Sequence, residues 1–177
     1  MDAELTDISP DSSSQGRGLA HLLLQQCSRR GWSLGVIESL TGGGLAAQIV
    51  SVPGASDAFR GGLVSYSDQV KISLAHVDPQ LLALQTPYCA AVAQQMASGA
   101  AELLEVDVCI STTGVAGPGP DRGIGAGTVY LGLAYPGVEG VPQRCATKLE
   151  IAGSRNAVRS QSITAALEWA LQVLTEQ

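Results

Sequence analysis

The sequence predicts an α/β protein: a single domain with helices on both faces of a mixed sheet, a three-layer α/β/α sandwich. Three observations carry that prediction. Strand-length apolar runs alternate with segments of helical period, the order αβαβααβ followed by a hairpin and a last helix. The hairpin, around Pro136-Gly137-Val138-Glu139-Gly140, makes neighbouring strands antiparallel and the sheet mixed. Finally, 45% of residues are hydrophobic but only 4% are aromatic, and 21 are glycine. Aliphatic strands, small-residue helix contacts and glycine turns produce that balance. A chain of 177 residues fits one domain with one substantial core.

Taken in order, residues 1–16 (MDAELTDISPDSSSQG) are acidic and serine-rich with little to bury, so they read as a disordered tail. The domain is expected over 17–177. Leu19, Leu22, Leu23 and Gln26-Cys27 give helical spacing up to Gly31, which stops the helix. SLGVIE (33–38) is a buried strand, and a helix is expected to start at once from Thr41. GGLVSYS (61–67) is a second strand, followed by a short helix near Val70–Leu74 and another opened by Asp78-Pro79. Between Tyr88 and Leu104, Val92, Met96, Ala100, Leu103 and Leu104 share one helical face. VDVCIST (106–112) is an apolar strand, and a glycine-rich loop runs from Gly114 to Gly127. TVYLGLAY (128–135) and QRCATKLEI (143–151) form the hairpin strands. Ser154 is a plausible N-cap for a last helix whose stripe is Val158, Ser162, Ala165, Trp169 and Val173.

Charge and cysteine usage exclude several function classes. With 16 acidic and 10 basic residues the net charge is −6, so no broad footprint for nucleic acid is expected. A local anion site remains open, because backbone amides bind phosphate without a basic surface. Cys27, Cys89, Cys109 and Cys145 are far apart with no Cys-x-x-Cys pair, which reads as reduced thiols rather than zinc ligands or a disulfide scaffold. There is no leader-like opening and no apolar run long enough for a bilayer, so no membrane partner and a cytoplasmic location are expected.

In layered α/β proteins ligands bind beyond the carboxyl ends of strands. Three segments follow predicted strands and could meet there: Glu38-Ser39-Leu40-Thr41-Gly42-Gly43-Gly44, Ser65-Tyr66-Ser67, and Thr112-Thr113-Gly114-Val115-Ala116-Gly117-Pro118-Gly119. Ser39 stands at a strand-turn-helix, with the amides of Thr41, Gly42 and Gly43 available for an oxyanion or a phosphate. An ordinary N-cap serine fits the same pattern. Neither a Walker A loop nor a Gly-x-Ser-x-Gly elbow is present. His21 and His76 lie where surface or packing residues are expected, so a serine nucleophile needs another base. Buried lysine can serve, since desolvation lowers its pKa towards neutrality. The only lysines are Lys71 and Lys148, and Lys71 follows Tyr66 closely in SYSDQVK. On spacing alone, Lys71 is more often a solvated helix residue and Tyr66 a half-buried strand aromatic.

The block ESLTGGGLAAQIVSVPGASDAFRGGLVSYSDQVK (38–71) resembles the signature of the CinA C-terminal family, the nicotinamide-nucleotide amidohydrolases, in its stand-alone form. The similarity continues through VAQQMASGAAELLEVDVCISTTGVAGPGP (92–120) and GSRNAVRSQSITAALEWAL (153–171). The resemblance implies hydrolysis of the carboxamide of nicotinamide mononucleotide, giving nicotinate mononucleotide and ammonia, in pyridine-nucleotide salvage. It implies Ser39 as nucleophile and Lys71 as base, acting directly or through Tyr66, with the amides at Thr41, Gly42 and Gly43 holding the oxyanion. It also implies that the loop Thr113-Gly114-Val115-Ala116-Gly117-Pro118 lines the substrate site. Arg155 matches a family arginine, either a phosphate contact or a surface residue of the helix's first turn. A small-molecule nucleotide substrate, a homo-oligomer, and no metal or organic cofactor follow from the same resemblance. An inactive or regulatory binding module, or an amidase for another small carboxamide, are the alternatives.

Two loops depart from the family pattern. After Gly117-Pro118-Gly119 the family usually has another glycine and later Pro-Val-Gly-Thr; here Pro120-Asp121-Arg122 and Gly125-Ala126-Gly127-Thr128 stand instead. Before the central helix many members have Gly-x-Val-Ser, whereas this chain has Thr86-Pro87-Tyr88-Cys89. These changes bear on substrate fit more than on fold or nucleophile.

Overall fold

The structure, a computed structural model, describes residues 12–176. Five strands, β1 (Leu34–Glu38), β2 (Phe59–Val64), β3 (Val108–Gly114), β4 (Thr128–Pro136) and β5 (Pro142–Glu150), form one sheet in the order β2-β1-β3-β4-β5. β1 is parallel to both β2 and β3, while β4 is antiparallel to β3 and β5. The sheet is mixed, as the hairpin predicts. In its parallel half the register aligns Glu38 with Val64 and with Thr112. β1 and β2 therefore end level with each other, β3 runs on from Thr112 to Gly114, and the three segments singled out in the sequence gather at this edge.

Helices α1 (Ser12–Arg30), α2 (Gly44–Val50) and α6 (Arg155–Thr175) cover one face. Leu23, Leu45, Ile49, Leu167 and Leu174 pack there against Val36, Ile110 and Leu131 of the strands. The short helices α3 (Asp68–Ala75) and α4 (Pro79–Leu84) and the long α5 (Ala90–Leu104) cover the other face. Val92, Met96, Ala100 and Leu82 meet Ile37 and Cys109 in that second core. Adjacent residues Val36 and Ile37 thus feed opposite cores, as strand alternation requires, and all five residues of β1 are buried. Each such aliphatic side chain contributes roughly 2 kcal/mol.

Several boundaries differ from the sequence reading. α1 begins at Ser12, so residues 12–16 belong to a helix rather than to the tail; Gly16 is buried beside the Gln48 side chain, which anchors that turn. The rest of the expected tail, residues 1–11, lies outside the described residues. α2 starts at Gly44 instead of Thr41, because Gly42 and Gly43 both adopt positive φ (63° and 92°) and turn the chain first. Three helices separate β2 and β3, one for each helical segment read there, where the order αβαβααβ counts two. On α6 the deepest positions are Val158, Ser162, Ala166, Leu167, Ala170 and Leu174, with Ala165, Trp169 and Val173 along the margin. The helix packs on α1, α2 and the sheet together, which widens and rotates its buried stripe. All four cysteines are free thiols, Cys27 and Cys109 buried and Cys89 and Cys145 half-buried. Burial pushes the Cys27 thiol up to about 12, so it stays protonated and inert.

The contact between α3 and α5 is the tightest determinant of where Lys71 sits. A Cβ at Gly99 would lie 1.9 Å from the Ala75 carbonyl oxygen. Gly99→Ala is therefore expected to destabilise the fold by about 3 kcal/mol, because backbone must separate from backbone. The midpoint of urea unfolding measures it; an unchanged midpoint would show that α3 is not pinned there.

Candidate active site

The turn after β1 is fixed from three sides. Ser39 donates its amide to the Thr112 carbonyl (2.9 Å), continuing the β1–β3 ladder by one residue. The Glu38 carboxylate, only 1% exposed, folds back on α2 and accepts the amides of Gly43 (3.0 Å), Leu45 (3.0 Å) and Ala46 (2.8 Å). It thereby satisfies the orphan donors of that helix start. From α6, Arg159 donates to the carbonyls of Leu40 (3.1 Å) and Thr41 (2.9 Å). The Thr41 and Thr112 hydroxyls hydrogen-bond to each other at 2.7 Å inside the core.

These bonds correct the expected roles of the glycine amides. Gly43 donates to Glu38 and Gly42 to the Ser39 carbonyl (3.2 Å), so neither is available to an oxyanion. Among the described residues the amides of Leu40 and Thr41 have no acceptor. Leu40 also lines the cleft, which puts a free donor directly after Ser39.

Lys71 reaches this turn from α3. Ser67 caps that helix, accepting the Val70 amide through its hydroxyl (3.4 Å). Lys71, 1% exposed, lies at the end of the first turn. Its ammonium nitrogen donates to the Ser65 carbonyl (2.9 Å) and approaches Ser39 Oγ at 3.2 Å. Burial lowers its pKa to about 8; Asp68 acts against that shift and Arg122 with it. An appreciable fraction of free amine therefore exists near neutral pH, within proton-transfer distance of a hydroxyl that is itself 5% exposed.

The other sequence-predicted residues divide. Tyr66 is 62% exposed, and its hydroxyl accepts from Arg155 at 3.0 Å; among the hydrogen bonds of the described residues it has none to Ser39 or Lys71. Lys71 meets Ser39 directly, so this geometry contains no tyrosine relay. Thr113 is buried and donates to the Pro87 carbonyl (2.8 Å), tying β3 to the segment before α5 rather than facing a ligand. Gly114 and Gly117 do line the cleft, a cavity of about 570 Å³ with Ser39 and Lys71 at its base and Tyr66 and Arg155 on one wall. Arg155 also donates to the Gly117 carbonyl.

Sequence reasoning missed part of the cleft lining. There Arg122 pairs with Asp68 at 2.7 Å and the Tyr88 hydroxyl donates to Asp121. Their only signal in the sequence was that Asp121-Arg122 and Tyr88 fall in the two atypical loops. A roomier groove of about 830 Å³, near Trp32 and Tyr135, lies at the far end of the strands without any nucleophile–base pair. Among the described residues no group of three or more His, Cys, Asp or Glu could hold a metal ion, and no helix is long and apolar enough to cross a membrane.

The family model for the CinA C-terminal domain matches residues 17–174. The chain belongs to the CinA C-terminal domain family. A CinA-like protein of Frankia casuarinae is 40% identical over 164 residues, covering 93% of this chain and 36% of the relative. One from Myxococcus xanthus is 38% identical over 158 residues, covering 88% and 36%. The chain thus spans about a third of the length of the curated relatives it matches. Solved CinA superfamily proteins have its size. That from Escherichia coli superposes with a TM-score of 0.84 at 28% identity, covering 98% of this chain and 99% of its own. That from Klebsiella pneumoniae 700603 gives 0.84 at 27%, covering 92% and 99%. The mixed five-stranded sheet between helix layers is the fold of this CinA family.

Proposed function

We propose that the chain is a serine amidase that hydrolyses the carboxamide of nicotinamide mononucleotide, releasing nicotinate mononucleotide and ammonia. The observation that supports this most is the buried Lys71 amine 3.2 Å from Ser39 Oγ at the floor of an open cleft. A lysine there has no structural need to be charged, and among the described residues its one other hydrogen-bond partner is the Ser65 carbonyl.

In this mechanism the free amine of Lys71 takes the Ser39 proton as Oγ attacks the carboxamide carbon. The carbonyl oxygen becomes an oxyanion facing the Leu40 amide, the position of the residue after a nucleophile in serine hydrolase elbows. The lysine ammonium then protonates the departing nitrogen, and ammonia leaves an acyl-Ser39 ester. Water, deprotonated by the regenerated amine, cleaves the ester and restores Ser39. Arg155, with Gly117 beside it, offers a cation at the rim for the substrate phosphate. Tyr66 braces that guanidinium rather than moving the proton. The proposal carries with it a homo-oligomer in the cytoplasm, with neither nucleic acid nor membrane as partner and no cofactor.

The rebuilt loop wall favours one second reading, an amidase for a related small carboxamide. Ammonia release from nicotinamide mononucleotide, nicotinamide riboside and nicotinamide by purified protein separates the two. Turnover is expected with the mononucleotide and at least tenfold weaker without its phosphate, since a charged hydrogen bond to Arg155 contributes about 1.5–3 kcal/mol. No release from the mononucleotide by folded protein would sink the proposal.

A further inference from the structure

Asp121 and Arg122 are consecutive, yet they hold two different elements that line the cleft. Asp121 accepts the Tyr88 hydroxyl from the segment before α5, and Arg122 pairs with Asp68 on α3 at 2.7 Å. The tip between them is tight: Asp121 and Ile124 exchange backbone hydrogen bonds of 3.0 and 2.9 Å. Arg122 sits there at φ 48°, a left-handed conformation that is unfavourable for a side chain of its kind. Its ion pair is one of the contacts able to hold that conformation in place.

Asp68 is the carboxylate whose charge acts on Lys71. It precedes Lys71 by one helical turn, at the i, i+3 spacing that brings side chains together on one face. Left alone, a carboxylate there favours the ammonium form of Lys71. Arg122, paired with that carboxylate at 2.7 Å, supplies the opposite charge.

We propose that Arg122 is a positioning residue that occupies the Asp68 carboxylate and thereby leaves Lys71 free to act as an uncharged amine. Without that pair, Asp68 acts on Lys71 unopposed and favours the ammonium form. The inference deepens the amidase reading, in which Lys71 is the base.

The other groups around Lys71 leave this pair as the variable one. Tyr88 and Asp121 are engaged with each other, and Tyr66 and Arg155 are paired on one wall of the cleft. Ser65 and Ser39 contribute a carbonyl and a hydroxyl. α5 meets α3 through Gly99, and its buried positions are apolar or glycine.

The chain's two lysines make a direct test possible. In protein labelled with 13C at lysine Cε, Lys71 and Lys148 give one signal each, assigned with Lys148→Arg, and the Lys71 midpoint is read from a pH titration. It is expected near 8 in the wild type. Arg122→Gln should raise it by about one pH unit, and Asp68→Asn should lower it by a similar amount. The double variant should return close to the wild-type midpoint, and Arg122→Lys should preserve it. Ammonia release should follow in its pH dependence. A purely structural loop contact would change KM and leave the lysine midpoint where it was. An unchanged midpoint in Arg122→Gln, or a rise that survives Asp68→Asn, overturns the proposal. Asp68→Asn, a near-isosteric change at a half-buried position of α3, gives a reading even if Arg122→Gln fails to fold. If no variant releases ammonia, the amidase reading fails while the midpoints still decide the role of Arg122.

Discussion

Lys71→Met is expected to abolish carboxamide hydrolysis and to stabilise the folded protein at pH 7. Activity should fall by roughly a thousandfold or more, because nothing else within reach of Ser39 can accept its proton. The stability effect has the opposite sign for a physical reason. Burial holds Lys71 near 8 against an ordinary value of 10.5, so below pH 8 folding carries a buried ammonium that the unfolded chain solvates freely. The unfolded state binds the extra proton only between about 8 and 10.5, so wild-type stability contributed by this group rises with pH through that window. Methionine keeps the volume and removes the penalty, but leaves the Ser65 carbonyl without its donor. The net gain at pH 7 should be about 1–2 kcal/mol, or a few degrees in Tm, once that lost hydrogen bond is deducted. It should shrink as pH approaches 10. Paired thermal melts at pH 7 and pH 10 check both the sign and the trend. Lys71→Arg should be nearly as inactive, since a guanidinium stays protonated.

Ser39→Ala is expected to lose turnover by a similar or larger factor while leaving fold and substrate affinity almost intact. Its Oγ is bonded to Lys71 alone, so its removal leaves no buried partner that was not already held by Ser65. The turn itself is built by the Ser39 amide, the Glu38 carboxylate and Arg159, none of which involves the hydroxyl. Unfolding free energy should change by less than about 1 kcal/mol. Calorimetry with nicotinamide mononucleotide on this inert variant should give a Kd close to that of the wild-type Michaelis complex. A large loss of affinity would mean that Ser39 binds rather than reacts. Retention of turnover would remove it from the chemistry altogether.

The parts of this site that are local in the chain were legible before any coordinates. A strand followed at once by a glycine turn and a helix places Ser39 at a strand end whatever the rest of the protein does. A short helix expected near Val70–Leu74 likewise puts Lys71 in its first turn, and the structure adds that Ser67 caps it. The resemblance of the 38–71 block then joins them, and the parallel β1–β2 register shows how. What stayed illegible depends on side-chain direction over long sequence separations. Glu38 reads as the last residue of a buried strand, and nothing local says that its carboxylate turns back to occupy the amides expected to face substrate. Tyr66 and Lys71 read as one unit, yet the chain bends after Ser65 and sends the phenol outward to Arg155. Thr113 looked like a ligand contact, but the alternation of β3 turns its hydroxyl inward to Pro87. Arg122 and Asp68 are far apart in the sequence and meet only because the glycine loop folds over the cleft. The helical start at Ser12 was hidden for a related reason: serines and glycine give weak local preference, and packing on α2 settles the matter.

The central claim is that a neutral amine at position 71 makes the position-39 hydroxyl nucleophilic. The pH dependence of kcat/KM for ammonia release between pH 6 and 10 tests it most directly. A single limb rising with a midpoint near 8 and levelling above it is the predicted result. A profile that is flat across that midpoint, in wild-type protein with full activity, would contradict it.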